Sequence, residues 1–500
     1  MDYKKLQNGS DIRGVALEGI EGQSVNLTET ASRDIGRGFA LWLKNKMKKD
    51  VLRVAVGRDS RLSGESLSGW LCEAMAKEGI LVTDIGLAST PAMFMSTVTE
   101  GYKFDGSVMI TASHLPFNRN GFKFFTAEGG LEKQDIKEIL AYAEGTETTA
   151  LPAGKVEKGE FMDAYAGILV DKVRTSTGLE KPLDGFRIVV DAGNGAGGFS
   201  VEKVLHPLGA NTEGSRYLDP DGSFPNHIPN PEDAEAMAAI TQAVKENNAD
   251  LGIIFDTDVD RAGAVLADGS ELNRNRIIAM LSAILLREHP GTTIVTDSIT
   301  STGLAKFIEE KGGIHHRFKR GYRNVINESI RLNNNGQDSQ LAIETSGHGA
   351  LKENYFLDDG AYLVTKLLIE LARGKKEGYT LASLIDSLEE PAESVEFRMN
   401  ILLDDFKAYG QQVIDDLTAY AAKQEGWSLA PSNYEGVRVN LDENHGNGWF
   451  LLRLSLHDPL LPLNIESNCV GGAKKIATEL ATFIAGYDKL DADKLVAFTK

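Results

Sequence analysis

Three successive segments of this chain carry the same order of signals, and that order constrains the fold more than any other feature. Each begins with an apolar, β-branched run ending in an aspartate and a turn of small residues: Leu52-Arg-Val-Ala-Val-Gly-Arg-Asp59, Phe186-Arg-Ile-Val-Val-Asp191 and Thr292-Thr-Ile-Val-Thr-Asp297. A helical pattern follows each turn, as in Gly64 to Lys77 after the first. A second strand then ends in a polar loop: Thr111-Ala-Ser-His114, Asp256-Thr-Asp-Val-Asp-Arg261 and Glu344-Thr-Ser-Gly-His348. These loops begin 52, 65 and 47 residues after the first aspartate. Comparable spacing predicts a triplicated α/β unit. Ligand loops in α/β sheets gather outside the strand ends, so three units can bring three chemically different loops to one cleft.

Breaks in the pattern divide the chain into four. The Thr/Gly/Glu-rich stretch Gly145 to Lys158, with Pro152, closes the first unit; Gly269 to Asn273 follows the apolar run Ala262 to Leu266, and Glu389 to Glu393 surrounds Pro391. The expected domains are 1–150, 159–270 and 273–388, each α/β, and 394–500, which is α+β. In the last, Tyr434 to Asn440, a Gly-rich turn at Asn444 to Gly448, and Trp449 to Leu454 read as a hairpin with helices on either side. The expected fold class is α/β: four domains around a central cleft, three of them repeated units with mixed sheets.

Hydrophobic residues are 42% and charged residues 25% of the 500, the balance of a soluble globular protein. The longest nearly apolar run, Ile277 to Leu286, is too short to span a bilayer. No apolar signal-peptide core follows Met1, and Cys72 and Cys469 are too few for a disulfide framework, so the cytoplasm is the expected location. A net charge of −19 opposes nucleic-acid binding. No nucleic-acid or membrane partner is expected, and the oligomeric state is left open.

Asp256, Asp258 and Asp260 form the most informative triplet. Between the apolar runs Leu251 to Phe255 and Ala262 to Leu266, which read as strand, loop, strand, three carboxylates at this spacing can wrap a hard cation, and they repel one another without one. An EF-hand would need Gly and Glu where Arg261 and Ala267 stand. Mg²⁺ fits if a phosphate completes the shell; a solvated acidic turn is the alternative. Ser113 follows an apolar strand but lacks the nucleophile-elbow pattern. A loop serine can instead carry a phosphoryl group, and Lys123 in Asn120-Gly-Phe-Lys123 can balance its charge or move a proton. A plain turn serine is the alternative. Gly193, Gly195 and Gly198 match the dinucleotide fingerprint after a strand, with Glu213 near the distance of a ribose-binding acid. Equivalent turns in the other two units lack the fingerprint, which favours a structural βα turn. Glu344 and Ser346 can bond sugar hydroxyls or cap a helix. Arg453 can grip a phosphate bidentately or make a surface ion pair.

With these pieces in order, the chain resembles the α-D-phosphohexomutase superfamily, over nearly its whole length. Thr111 to Lys123 is similar to the family's phosphoserine loop, which implies that Ser113 carries the phosphate beside His114 and Lys123. Asp256 to Arg261 is similar to the metal loop, implying that the three aspartates and the Ser113 phosphate hold Mg²⁺, with Arg261 at the site. Glu344 to His348 resembles the sugar-recognition loop, and Asp11-Ile-Arg-Gly14 the early arginine motif, so Arg13 is implied to reach the active site. The resemblance implies exchange of hexose 1-phosphate and hexose 6-phosphate (glucose, mannose or both) through a hexose 1,6-bisphosphate. Tyr322, Arg323, Arg453 and Ser455 are the implied further substrate contacts.

The departures are specific. Leu115 replaces an asparagine, Thr257 and Val259 replace glycines, and Tyr322 stands where relatives often have histidine. In Arg453-Leu-Ser-Leu-His-Asp-Pro459, Leu456 and His457 replace the glycine and threonine of a phosphate-gripping loop. Glucose 1,6-bisphosphate synthase, using a sugar bisphosphate donor, is therefore the second reading in this class. An NAD(P)-dependent enzyme and a catalytically silent sugar-phosphate sensor remain outside it.

Overall fold

The computed structural model describes residues 2–49, 51–145, 153–455 and 458–500. The expected linker residues 146–152, with Pro152, and the pair Leu456-His457 lie outside the described residues. The chain packs as two compact units: Met1–Asn273 with Ser346–Ser383, and Arg274–Thr345 with Leu384–Lys500.

The first unit holds an eight-stranded sheet. Its longer strands are β1 (Asp11–Val15), β2 (Arg53–Arg58), β3 (Leu81–Leu87), β4 (Gly106–Ile110) and β5 (Arg119–Thr126). The order is β1-β5-β4-β2-β3, with β2, β3 and β4 parallel and β5 antiparallel to both neighbours. All five β4 residues are buried, as expected of a strand covered on both faces. Helices α1 (Glu29–Met47), α2 (Gly64–Lys77), α3 (Thr90–Val98) and α4 (Lys133–Glu144) flank it. Thr28 caps α1, accepting from the Ala31 N–H at 3.2 Å. A Cβ on Gly38 would meet the Ile139 carbonyl oxygen at 2.5 Å, so glycine lets α1 and α4 touch.

The same unit contains a four-stranded sheet in which β6 (Ile188–Asp191) and β7 (Leu251–Phe255) are parallel, and β8 (Ala262–Leu266) returns antiparallel to β7. The Phe255–Ala262 register makes the aspartate triplet the loop of a hairpin. The turn after Asp191 opens no α-helix; only a short π-helix, Val201–Leu205, forms. Gly193, Gly195, Gly197 and Gly198 weaken helix nucleation, and Pro207 ends the segment.

In the second unit β9 (Thr293–Thr296), β10 (Ile314–Arg317) and β11 (Ser339–Ile343) are parallel, with α5 (Arg274–Glu288), α6 (Thr302–Glu310) and α7 (Tyr322–Asn334). In all three segments, the strand before the first aspartate pairs in parallel with the strand before the polar loop. Arg58 lies opposite Ile110, Asp191 opposite Ile254, and Thr296 opposite Ile343. Parallel pairing puts both C-terminal ends on one edge.

The C-terminal part is a six-stranded sheet with β12 (Glu393–Ile401), β13 (Val437–Leu441), β14 (Gly448–Leu452) and β15 (Leu460–Ser467) antiparallel. The expected hairpin is β13–β14, shorter at its outer ends. Gly436, at φ +57, sits against the Leu452 carbonyl and stops β13 from starting at Tyr434. Cys72 is buried and Cys469 exposed. Among the described residues no helix is long and apolar enough to cross a membrane.

Candidate active site

Ser113 follows the end of β4, at φ +52, a left-handed conformation that few non-glycine residues adopt. Its N–H donates to Thr111 Oγ1 at 2.9 Å. The buried Arg61 guanidinium closes the loop by donating to four backbone carbonyls: Ser113, Leu115 at 2.6 Å, Pro116 at 2.8 Å and Arg119 at 2.9 Å. Asp59, ending the first run, lies 3.4 Å from Arg61 Nε and accepts from the Arg61 N–H at 2.9 Å.

Ser113 Oγ donates to Asp256 Oδ2 at 3.0 Å and accepts from Arg261 Nη2 at 2.8 Å. Arg261 also bonds Asp256 Oδ2 through Nε at 3.1 Å and His114 Nδ1 at 2.7 Å, while Asn230 Oδ1 holds its Nη1 at 3.1 Å. Asp258 accepts from the Thr90 hydroxyl. Asp260 faces Lys123 Nζ at 3.3 Å. Lys123 also lies 3.4 Å from Asp11, which binds Arg13 at 2.9 Å. One oxygen from each of the three aspartates lies within 4.8 Å of the others. Asp258 Oδ1 and Asp260 Oδ1 are buried with no hydrogen-bond partner among the described residues. Two orphaned oxygens in a ring of three carboxylates fit a small divalent cation.

Burial, then repulsion from Asp260, pushes the Asp256 and Asp258 carboxyls above their usual range. Asp260 goes the other way: burial opposes its charge, but Lys123, His348 and Arg261 outweigh it and hold the carboxyl well down. Burial and the Arg261 and Arg13 charges push His114 down to about 3, so it is neutral at pH 7. His348 is the opposite case. Burial disfavours its charged form, yet Asp358, at 2.5 Å from Nδ1, and Asp260 raise it to about 9.

The Gly193–Gly198 turn backs the aspartate loop. The Ala196 N–H donates to the Thr257 carbonyl at 2.8 Å, and a Cβ on Gly195 would lie 2.6 Å from that oxygen. Glu213 is exposed, 3.8 Å from Arg187. The glycines serve close backbone approach, as a structural turn requires.

In the second unit Glu344 Oε1 accepts from the Gly321 N–H at 2.6 Å, just before Tyr322 and Arg323 open α7. Glu435 Oε2 accepts from the Arg320 N–H at 3.0 Å and Ser298 Oγ at 2.5 Å. Arg453 follows β14; burial lowers its pKa, with Glu435 opposing and Arg320 adding to the shift. Among the described residues its Nε is buried without a hydrogen-bond partner, as is Ser346 Oγ in the first unit. Ser455 Oγ accepts from the Asp458 N–H at 3.2 Å.

Thus Ser113, His114, Lys123, Arg13, Arg261 and the three aspartates form one cluster in the first unit. Glu344, Tyr322, Arg323, Arg453 and Ser455 belong to the second. Sequence reasoning assigned no role to Arg61, Asn230, Asp11, Asp358 or Glu435. Asp11 and Arg61 sit in or beside quoted motifs; Asn230, Asp358 and Glu435 carried no signal of their own.

Three family models match in order: phosphoglucomutase/phosphomannomutase alpha/beta/alpha domain I over residues 4–150, domain II over 161–269 and domain III over 273–391. The phosphoglucomutase of Neisseria gonorrhoeae is 31% identical over 471 residues, covering 94% of this chain and 95% of its own. The phosphomannomutase/phosphoglucomutase of Pseudomonas putida is 32% identical over 462 residues, covering 92% of each. A solved phosphoglucomutase/phosphomannomutase family protein from Burkholderia thailandensis superposes with a TM-score of 0.79 at 27% identity, covering 98% of this chain and 100% of its own. With three α/β family domains in sequence and a further C-terminal sheet domain, the chain belongs to the phosphoglucomutase/phosphomannomutase family of the α-D-phosphohexomutase superfamily and is a phosphohexomutase.

Proposed function

We propose that the enzyme interconverts hexose 1-phosphate and hexose 6-phosphate, of glucose, mannose or both, in the cytoplasm, with Ser113 as phosphoryl carrier. One observation carries this reading: Ser113 Oγ lies within hydrogen-bond distance of both Asp256 and Arg261, beside two unpartnered carboxylate oxygens. Phosphoserine would give its phosphoryl group to a sugar hydroxyl; the O–P bond to serine breaks as the bond to the sugar forms, and the proton the hydroxyl loses is balanced by the one the leaving serine oxygen takes up. The resulting hexose 1,6-bisphosphate turns over and returns its other phosphate to Ser113, and added bisphosphate primes the cycle. Arg261, Arg13 and Lys123 place positive charge around the moving group. In the return step the proton of Ser113 Oγ leaves along the 3.0 Å hydrogen bond it donates to Asp256 Oδ2, while neutral His114 accepts from Arg261 at 2.7 Å and steadies that guanidinium.

Asp256, Asp258, Asp260 and the Ser113 phosphate would hold Mg²⁺, which supplies charge neutralisation to the phosphoryl oxygens. Glu344 and Ser346 are assigned to sugar hydroxyls, and Tyr322, Arg323, Arg453 and Ser455 to the phosphate not being transferred. We read the chain as four domains with the bounds 1–150, 159–270, 273–388 and 394–500.

Peptide mass spectrometry after incubation with a hexose 1,6-bisphosphate should find the added phosphoryl on the Ser113 peptide, and chelation should abolish turnover. A fully active Ser113→Ala enzyme would defeat the assignment. The second reading, bisphosphate synthase, is favoured by Leu456 and His457 in the distal phosphate loop.

A further inference from the structure

The second unit holds two guanidinium groups that have no carboxylate at ion-pair distance among the described residues. Arg438, on β13, is 3% exposed. Its Nη1 and Nη2 donate to the carbonyls of Ser298 (2.7 Å) and Thr300 (3.0 Å), and its face stacks 3.6 Å from the Trp449 ring centroid. Its Nε has no hydrogen-bond partner among the described residues. Arg317, ending β10, donates to Thr300 Oγ1 at 3.0 Å and to the Ser301 carbonyl at 2.7 Å. Neutral oxygens satisfy hydrogen bonds but leave the charge uncompensated, which is costly in a desolvated site. Burial, and next the Arg317 charge, push the Arg438 pKa well below its ordinary value.

The acids nearby compensate only in part. Glu466 accepts from Trp449 Nε1 at 2.8 Å, and burial pushes its carboxyl up to about 7. Asp297 accepts from Thr345 Oγ1 at 2.8 Å. Glu309 lines the same cavity and is exposed. That cavity, of about 250 Å³, is also lined by Arg317, Arg438, His315, Phe318 and Tyr434. The Phe318 and Tyr434 rings are 4.9 Å apart, and Tyr434 is 42% exposed. The donors that the carbonyl and hydroxyl oxygens leave over, Arg438 Nε and Arg317 Nη1, suit an oxyanion, and a dianion matches two positive charges. So small a cavity admits the anion with only a short carbon chain.

We propose that this cavity binds a phosphate dianion, free or as the head of a small monoester, between Arg317 and Arg438, with none of its lining residues assigned to phosphoryl transfer. Occupancy is linked to the turn before Tyr322. Arg438 holds the Ser298 carbonyl, the Ser298 hydroxyl donates to Glu435, and Glu435 accepts from the Arg320 N–H.

Titration calorimetry of the full chain with Mg²⁺ present tests this, using glycerol 3-phosphate and, separately, inorganic phosphate. The wild type should take up one more equivalent than Arg317→Gln. Ala305→Phe, which fills the cavity from α6 without removing a charge, should lose the same equivalent. Arg317→Lys should keep it, roughly tenfold weaker, because one ammonium cannot hold Thr300 and Ser301 and also reach the anion. Circular dichroism identifies a folded variant, and either of the first two suffices. Equal stoichiometry in the wild type and a folded variant overturns the proposal. Tenfold tighter binding of the ester makes a phosphorylated metabolite the occupant, and equal binding makes it free phosphate; both uphold a phosphate site.

Discussion

Arg61 shows how much of the site depends on one side chain to which no substrate contact is assigned. Its two Nη atoms bind four carbonyls of the Ser113 loop, and one point charge cannot replace that fork. Arg61→Lys should therefore let Ser113 drift. A misplacement of about 1 Å costs on the order of a hundredfold in rate, so kcat should fall by about that factor while KM moves little. Steady-state kinetics reads the split, and an unchanged kcat would refute the positioning role. Val259 presents the reverse balance. Its φ of +67 costs roughly 1–2 kcal/mol, and burying its side chain returns about 1.5–3 kcal/mol. The two are of similar size, so burial of the side chain offsets the strained backbone at a position where relatives have glycine.

At the scale of elements, the glycine turn and the aspartate loop act as one piece. Gly195→Ala must displace the Thr257 carbonyl, lowering stability by about 1–3 kcal/mol and weakening Mg²⁺ binding. Gly69→Ala, in α2 with nothing within 4 Å of its Cβ, is the control and should stabilise by about 0.4–1 kcal/mol. Denaturant titration and a metal titration distinguish the two. On β15, the Glu466 carboxyl is raised from 4.5 to about 7, first by burial. The folded state keeps that proton where the unfolded chain loses it, so the contribution is complete below pH 4.5 and is lost as pH rises through 7. Glu466→Gln should remove this decline from the stability profile between pH 4.5 and 7. A profile as steep as wild type would contradict the assignment.

Much of this was legible because buried strands leave continuous apolar runs. Leu251–Phe255 and Ala262–Leu266 were bounded correctly from their side chains alone. The π-helix after Asp191 was not legible, because glycine-rich turns are compatible with several local geometries. The Arg61 clamp and the His348–Asp358 pair depend on contacts across 52 and 10 residues, and neither spacing is a periodic signal.

At the scale of the whole molecule, the distal phosphate contact proposed for Arg453 would decide what leaves the enzyme. Arg453→Ala should weaken sugar-phosphate binding roughly ten- to a hundredfold, since a charge-assisted bond to phosphate is worth about 1.5–3 kcal/mol. Ser113 should still accept phosphate from a small donor. Following hexose 6-phosphate and free bisphosphate in one time course then separates mutase from synthase; unaltered binding in the variant would remove Arg453 from the site. The two cysteines have a practical consequence for such work. Burial raises the Cys72 thiol to about 12, leaving it inert, while Cys469 is exposed. The unmodified chain thus carries its own attachment point: a maleimide dye should label once, on the C-terminal sheet domain, so a fluorescent reporter can be installed without mutation. Two dyes per folded chain would show that Cys72 is reached as well.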